Sequence, residues 1–321
     1  MRFDVLFRVD ADQKIGIGHM RRCQALIEGF RRAGLRRFAF VTRTPQTFQE
    51  WFGKKYVLYP LKAKNFRGEI PELKRLFGRV NVSLMIVDRY GISTGYLSQI
   101  CNLHPRVVSL NDDVMLKDYP VRAIVNYNVY AKRLKYPSST QAKFFLGLRY
   151  APIREEFRRS SKRTTRSCLP RVFVALGGYA RAQYLEKVRA ALEKTGLPME
   201  VTWASGMTRD MASVMRGADL AISAAGVTTY ELAALGIPSI LLILAENQRR
   251  VAYAWQERGC VRVLGNLKEV SQMKLSKAVR NILMSRSKLK AMGQKARLAV
   301  DGQGGERLAR ELIQYFGGLK S

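Results

Sequence analysis

Short apolar runs alternate along this chain with stretches whose apolar residues recur at helical spacing. VLFRV (5–9) precedes MRRCQALIEGFRRAG (20–34), LMIVD (84–88) precedes TGYLSQICNL (94–103), and VVSL follows at 107–110. Such alternation predicts parallel strands joined by crossover helices. The pattern restarts at RVFVALGG (171–178) and continues through EVTWASG (200–206), ADLAISAAG (218–226) and IPSILLILA (237–245), each ahead of a helical stretch. Between the two series, the basic, Ser/Thr-rich segment 158–170 ends on a proline and reads as a linker. The predicted fold class is α/β. A Rossmann-like parallel-sheet domain occupies 1–157, the linker 158–170, and a second such domain 171–321, facing a cleft. Ligands of open parallel sheets bind outside the carboxyl ends of the strands, so the cleft is the expected site.

Length and composition agree with two cores: 321 residues, 47% of them hydrophobic, exceed an ordinary single domain. No stretch reaches the ~20 apolar residues of a membrane helix, and MRFDVLFRVD carries charges where a signal peptide has its apolar core. A cytoplasmic protein without integral membrane contact is expected. Cys23, Cys101, Cys168 and Cys260 stand singly, without the spacing of a zinc site or disulfide framework, and read as reduced packing residues. The net charge of +31 attracts polyanions of any kind. Its clusters, RRAGLRR (31–37) and RRSSKRTTRS (158–167), lack interleaved aromatics, so a solvated basic face is expected and no nucleic-acid partner.

Candidate chemistry gathers at two corners. In ADQKIGIGHM a strand runs into a glycine-containing loop, and His19, one of two histidines, opens the next helix. Helix starts face anions with backbone N–H groups and disfavour imidazolium, so His19 is expected neutral, as a general base requires. Gly16 and Gly18 let backbone and substrate approach closely. A capping histidine beside an ordinary turn is the alternative. The second corner lies in DLAISAAGVTTYELAALGIPSILLILAENQ (219–248). Small residues 224–226, among them Ala225 and Gly226, leave amides uncovered up to Thr228 where a diphosphate could sit, and Glu231 could accept two ribose hydroxyls. Glu246, Asn247 and Gln248 fall at the next strand-to-helix junction, while Glu231 as an exposed helix residue is the alternative.

RVDADQKIGIGHMRRCQAL, IVDRYGIS, NDD, NYNVYAKRLKYP, FFLGLRYAPIREEF, LGG and ISAAGVTTYELAALGIP…AENQ occur in this order over about residues 3–260. Together they resemble the UDP-2,4-diacetamido-2,4,6-trideoxy-β-L-altropyranose hydrolases of pseudaminic acid biosynthesis, with a wider similarity to the GT-B glycosyltransferase that makes lipid II. The resemblance implies a two-Rossmann GT-B fold and metal-independent cleavage between the anomeric carbon and the phosphate oxygen. It implies a UDP-activated 2,4-diacetamido sugar as substrate, UDP as product, no cofactor, and a role in nonulosonic acid supply for surface or flagellar glycans, beside other enzymes of that pathway. By position it assigns His19 as the base, Tyr90 as the tyrosine of the family's Asp-His-Tyr motif, Glu231 to the uridine side and Asn247 to the cleft. It places Asp10, Gly177, Gly178 and Gln248 among the binding residues. Two positions depart from it. Arg89 stands where histidine is usual, and GGYARAQ (177–183) lacks the acidic and hydroxyl residues common after the Gly-Gly.

DAD (10–12) has the spacing of metal-dependent glycosyltransferases, and NDD (111–113) adds carboxylates suited to hard cations. A cationic chain can instead neutralise a diphosphate with amides and arginines, so no metal is expected. His104, in NLHPRV before a proline, reads as a loop residue. Beside the hydrolase stand a GT-B glycosyltransferase with the same uridine site and a non-catalytic, basic polyanion-binding protein.

Overall fold

The computed structural model describes residues 1–12, 16–158, 168–177, 181–204 and 210–319. They form two units, Met1–Pro152 with Gln303–Ser321, and Ile153–Gly302. In the first unit the strands are β1 (Arg2–Val9), β2 (Phe38–Thr42), β3 (Val57–Pro60), β4 (Asn81–Asp88), β5 (Val107–Leu110), β6 (Ala123–Asn126) and β7 (Lys143–Leu146). Their order in the sheet is β3-β2-β1-β4-β5-β6-β7, all parallel. Helices α1 (Gly18–Arg32), α2 (Pro45–Phe52), α3 (Phe66–Phe77) and α4 (Thr94–Leu103) provide crossovers. Successive strand residues face opposite layers. Val5, Phe7 and Val9 therefore pack with Leu84, Ile86 and Leu26, Ile27, Phe30 of α1, whereas Leu6, Met85 and Val87 pack with Leu73, Leu97 and Ile100 of α3 and α4.

The second unit contains α5 (Glu155–Arg158), β8 (Arg171–Ala175), α6 (Ala182–Glu193), β9 (Glu200–Trp203), α7 (Met211–Arg216), β10 (Leu220–Ala224), α8 (Val227–Leu235), β11 (Ser239–Ile243), α9 (Arg249–Glu257), β12 (Val261–Asn266), α10 (Gln272–Leu283) and α11 (Arg286–Ala299). Its parallel sheet runs β12-β11-β10-β8-β9. In each sheet the winding reverses once, between β1 and β4 in the first and between β8 and β10 in the second. A parallel sheet opens a crevice for ligands at the carboxyl side of such a reversal.

The expected second domain, 171–321, is corrected at its end. The last helix, α12 (Gly304–Tyr315), belongs to the first unit, where Leu308, Ala309 and Leu312 join Leu26, Ile27 and Phe30. A Cβ on Gly29 would lie 2.4 Å from the Gly305 backbone, so α1 and α12 touch main chain to main chain. An amphipathic helix reads alike whichever sheet it covers; the glycine match is 276 positions apart and carries no local signal. The first unit likewise ends at Pro152 rather than at 157.

Candidate active site

At the first reversal, β1 delivers the chain to the carboxyl edge of its sheet and α1 begins at Gly18, with His19 as its second residue. Gly16 has φ +81°, a left-handed conformation that favours glycine, and nothing lies within 4 Å of where its Cβ would be. Asp88 ends β4, two residues after Ile86, and therefore faces α1. His19 Nδ1 lies 2.7 Å from Asp88 Oδ1. Arg22, one turn along α1 from His19, donates to Asp88 through Nε (2.5 Å) and Nη2, and its Nη2 also lies 2.8 Å from His19 Nδ1. His19 is 5% exposed and Asp88 not at all.

Carboxylate and guanidinium thus compete for one ring nitrogen. Donation from Nδ1 to Asp88 leaves the Nε2 lone pair available to take a proton; acceptance from Arg22 leaves an Nε2–H instead. Burial by itself would raise the Asp88 carboxyl, but Arg22 and then His19 outweigh it and hold that carboxyl well below the usual range. Asp88 is therefore a permanent anion in this pair.

Asp112, after β5, closes the far side. It accepts from Arg22 Nη1 at 2.8 Å, from Asn128 Nδ2 at 3.2 Å and from the Tyr90 hydroxyl. The Tyr90 ring sits edge-on to His19 with centroids 4.7 Å apart. The residue is 46% exposed, yet its hydroxyl turns inward. Burial of that end, then the charge of Asp112, push the phenol up, so it remains a donor rather than a base.

Asp10, expected among the binding residues, is buried. Its side chain faces the α3 layer, is 1% exposed, and binds Arg8 through both oxygens at 2.7 and 3.0 Å, with Thr42 and the Arg43 N–H also on Oδ1. A carboxylate enclosed in this way holds the sheet edge together and leaves nothing for a sugar. In DAD, Asp10 is held by these arginines, and in NDD, Asp112 is held by Arg22. His104 lies, as expected, in the turn between α4 and β5; it follows the helix as its C-cap, is buried against Phe77, and its Nε2 lies 2.8 Å from the Val82 carbonyl.

In the second unit, Gly177 follows β8 with φ +93°, while Gly178 lies outside the described residues. β10 ends at Ala224, and α8 starts at Val227 with Gly226 as its cap. Ala225 is buried and Thr228 half-buried, while a Cβ on Gly226 would meet nothing within 4 Å. The backbone here is open to a ligand. Glu231, on the second turn of α8, is 2% exposed, not the exposed helix residue of the bland alternative. Arg154 grips its Oε1 through Nε (3.0 Å) and Nη2 (2.8 Å), and Oε2 is buried without a hydrogen-bond partner among the described residues. A buried carboxylate oxygen with no donor awaits one. Asn247 is exposed in a 3-10 turn after β11, and Gln248 Oε1 accepts the Leu244 N–H at 3.0 Å, tying that turn to the strand.

Asp88, Arg22, Asp112 and Arg154 were absent from the sequence-based set. Two of them carried a signal: Asp88 is a charge terminating a buried strand, and Arg22 is one helical turn from the candidate histidine.

The class follows from these two units. Residues 164–308 match the glycosyltransferase family 28 C-terminal domain. Acinetobacter baumannii MurG shares the fold over 97% of this chain and 99% of its own, at a TM-score of 0.66 and 15% identity. The calicheamicin glycosyltransferase CalG4 does so over 99% of each, at 0.68 and 15%. The fold is GT-B. Among particular proteins, the chain is similar to the UDP-2,4-diacetamido-2,4,6-trideoxy-β-L-altropyranose hydrolase of Campylobacter jejuni, 29% identical over 193 residues, 60% of this chain and 66% of that protein. It also resembles the Helicobacter pylori pseudaminic acid cytidylyltransferase and UDP-2,4-diacetamido-2,4,6-trideoxy-β-L-altropyranose hydrolase. That match is 22% identical over 302 residues, 89% of this chain and 52% of that protein. Among the described residues no helix is long and apolar enough to cross a membrane.

Proposed function

We propose that this protein hydrolyses a UDP-activated 2,4-diacetamido-2,4,6-trideoxy sugar to UDP and the free sugar, supplying nonulosonic acid synthesis in the cytoplasm. The observation that carries the reading is the buried His19–Asp88 pair, which orients one imidazole at the carboxyl edge of a Rossmann-like sheet. Nε2 of His19 takes a proton from water as its oxygen attacks the anomeric carbon. The bond from that carbon to the phosphate oxygen breaks, and its electron pair leaves with UDP. Asp88 supplies the counter-charge for the imidazolium, and Tyr90 lends a wall and a hydroxyl dipole beside it. UDP is assigned to the second unit, its diphosphate on the amides of 225–228 and a ribose hydroxyl on Glu231 Oε2. The two hydrolase relatives support the substrate class; no step is routed through a metal.

Heavy-oxygen water tests the bond. The label should enter the sugar at C1, read by mass spectrometry before anomeric exchange, and none should enter the phosphates of UDP. Label in UDP would place the cleavage at phosphorus and end the proposal. The match of 164–308 to a glycosyltransferase domain favours a second reading, transfer of the sugar to an acceptor hydroxyl. Under that reading, water alone releases no sugar.

Glu231 tests the nucleotide half. Glu231→Gln keeps an oxygen for Arg154 and replaces the unpartnered acceptor by an amide N–H group. UDP affinity measured by calorimetry should fall by ~1.5–3 kcal/mol, the value of a charge-assisted hydrogen bond and an unmet buried group. Unaltered affinity removes Glu231 from the nucleotide site.

A further inference from the structure

On the α3 side of the first sheet, three guanidiniums share two carboxylates. Arg8, fully buried, donates to Asp10 and to Glu69, reaching the latter through Nε at 2.8 Å and Nη2 at 2.7 Å. Glu69 Oε2 also accepts the Tyr96 hydroxyl at 2.6 Å, and Arg43 Nε lies 3.1 Å from Oε1. The carboxylate oxygens are thus occupied before Arg89 is reached. Arg89 Nε is 2.8 Å from Asp10 Oδ2, but without the angle of a hydrogen bond, and its guanidinium finds no hydrogen-bond acceptor among the described residues. It lies 5.6 Å from the centre of the Phe66 ring, with the Arg43 guanidinium 5.0 Å from the same ring. Burial, and the charges of Arg43 and Arg8, hold Arg89 below the ordinary arginine value despite Asp10. Arg8, Asp10 and Glu69 are sealed, at 0%, 1% and 0%, whereas the Arg43 and Arg89 side chains are each 17% exposed. The cluster therefore presents surplus positive charge outward. Arg89 stands between Asp88 and Tyr90, the two residues that flank His19.

We propose that Arg43 and Arg89 form an oxyanion subsite on the α3 side of the first sheet's carboxyl edge, which takes an anionic group of the substrate. This rests on the hydrolase reading for the substrate's identity, though not for the binding itself. Arg43 already gives Nη1 to the Lys64 carbonyl at 3.0 Å and turns Nε to the carboxylates, so it contributes charge, while the Arg89 fork, with unused N–H groups, matches the paired oxygens of a phosphate or carboxylate. The group comes either from a diphosphate or from an acidic sugar, and the second source would mean a substrate other than the neutral diacetamido sugar.

The test follows the Arg89 Nε–Hε resonance, assigned by its loss in Arg89→Gln, in the intact protein labelled with 15N-arginine. Inorganic pyrophosphate and glucuronate are the two probes. A saturable shift with pyrophosphate identifies the diphosphate as the source; one with glucuronate alone identifies an acidic sugar. For the probe that shifts it, Arg89→Gln should weaken binding at least about tenfold, and Arg89→Lys should recover only part of that loss. The Tm of Arg89→Gln should stay level or rise, because three guanidiniums share two carboxylates and Asp10 keeps Arg8 and Arg43 when the surplus charge is removed. No shift with either probe, or a Tm lowered by several degrees with affinity unchanged, would show Arg89 to be a structural residue and overturn the subsite. The hydrolase reading can fail separately, in the heavy-oxygen experiment, with the resonance titration unaffected.

Discussion

His19→Ala should lower turnover of the UDP-sugar by about 10²–10⁴-fold, the usual contribution of a positioned proton transfer. Both kcat and kcat/KM should fall together, since the interaction lost is made as the water is deprotonated. Stability should change little, because Asp88 keeps both its hydrogen bonds from Arg22 when the imidazole is gone. UDP affinity should also stay near the parent value, because the residues assigned to the nucleotide are in the other unit. A capping residue would behave in the opposite way, losing stability and keeping turnover. If the folded variant retains parental turnover, the base lies elsewhere, and Asp10 is no substitute: it is sealed in its own ion cluster at 1% exposure.

What could be read in the sequence and what could not divide along contact range. The largely apolar runs at 5–9, 84–88 and 220–224, interrupted by Arg8, Asp88 and Ser223, are strands because central parallel strands are buried on both faces. His19 stood out because a glycine loop followed by a helix start is a local feature, as was the corner at Gly226. The partners that turn those residues into chemistry are distant. Asp88 is 69 positions from His19, Asp112 90 from Arg22, and Arg154 77 from Glu231. Nothing in a local window shows which carboxylate a buried arginine will meet. The surroundings of Asp10 were hidden for the same reason: position in the motif marked it as a binding residue, while the groups around its carboxylate are Arg8, Thr42, Arg43 and, by charge, Arg89. The return of α12 to the first unit depends on two glycines meeting across the length of the chain. Periodicity cannot encode that encounter.

Asp88→Asn should have the largest combined effect, because one carboxylate serves both the fold and the proposed base. Arg22 is almost fully buried, and losing the charge opposite it leaves only Asp112, whose side chain is 24% exposed. Breaking a buried pair from one side costs ~3–5 kcal/mol. Asp112 keeps the expected loss near the lower figure, and a Tm on the order of 10 °C lower should follow for a unit of this size. Acid should expose the same term. The folded carboxyl is held below its unfolded value, so its stabilisation is complete above about pH 4 and fades as pH falls from there towards the folded value. The parent should therefore lose its stability advantage over Asp88→Asn on acidification through that window. Turnover per folded molecule should drop by about 10²–10⁴, since an amide can present either an acceptor or an N–H to Nδ1 and no longer selects the tautomer with a free Nε2. The double variant His19→Ala/Asp88→Asn should be no slower than His19→Ala alone, because Asp88 acts through the imidazole. Independent, multiplying losses would assign Asp88 a role apart from His19, and parental turnover in folded Asp88→Asn would break the pair as a catalytic unit.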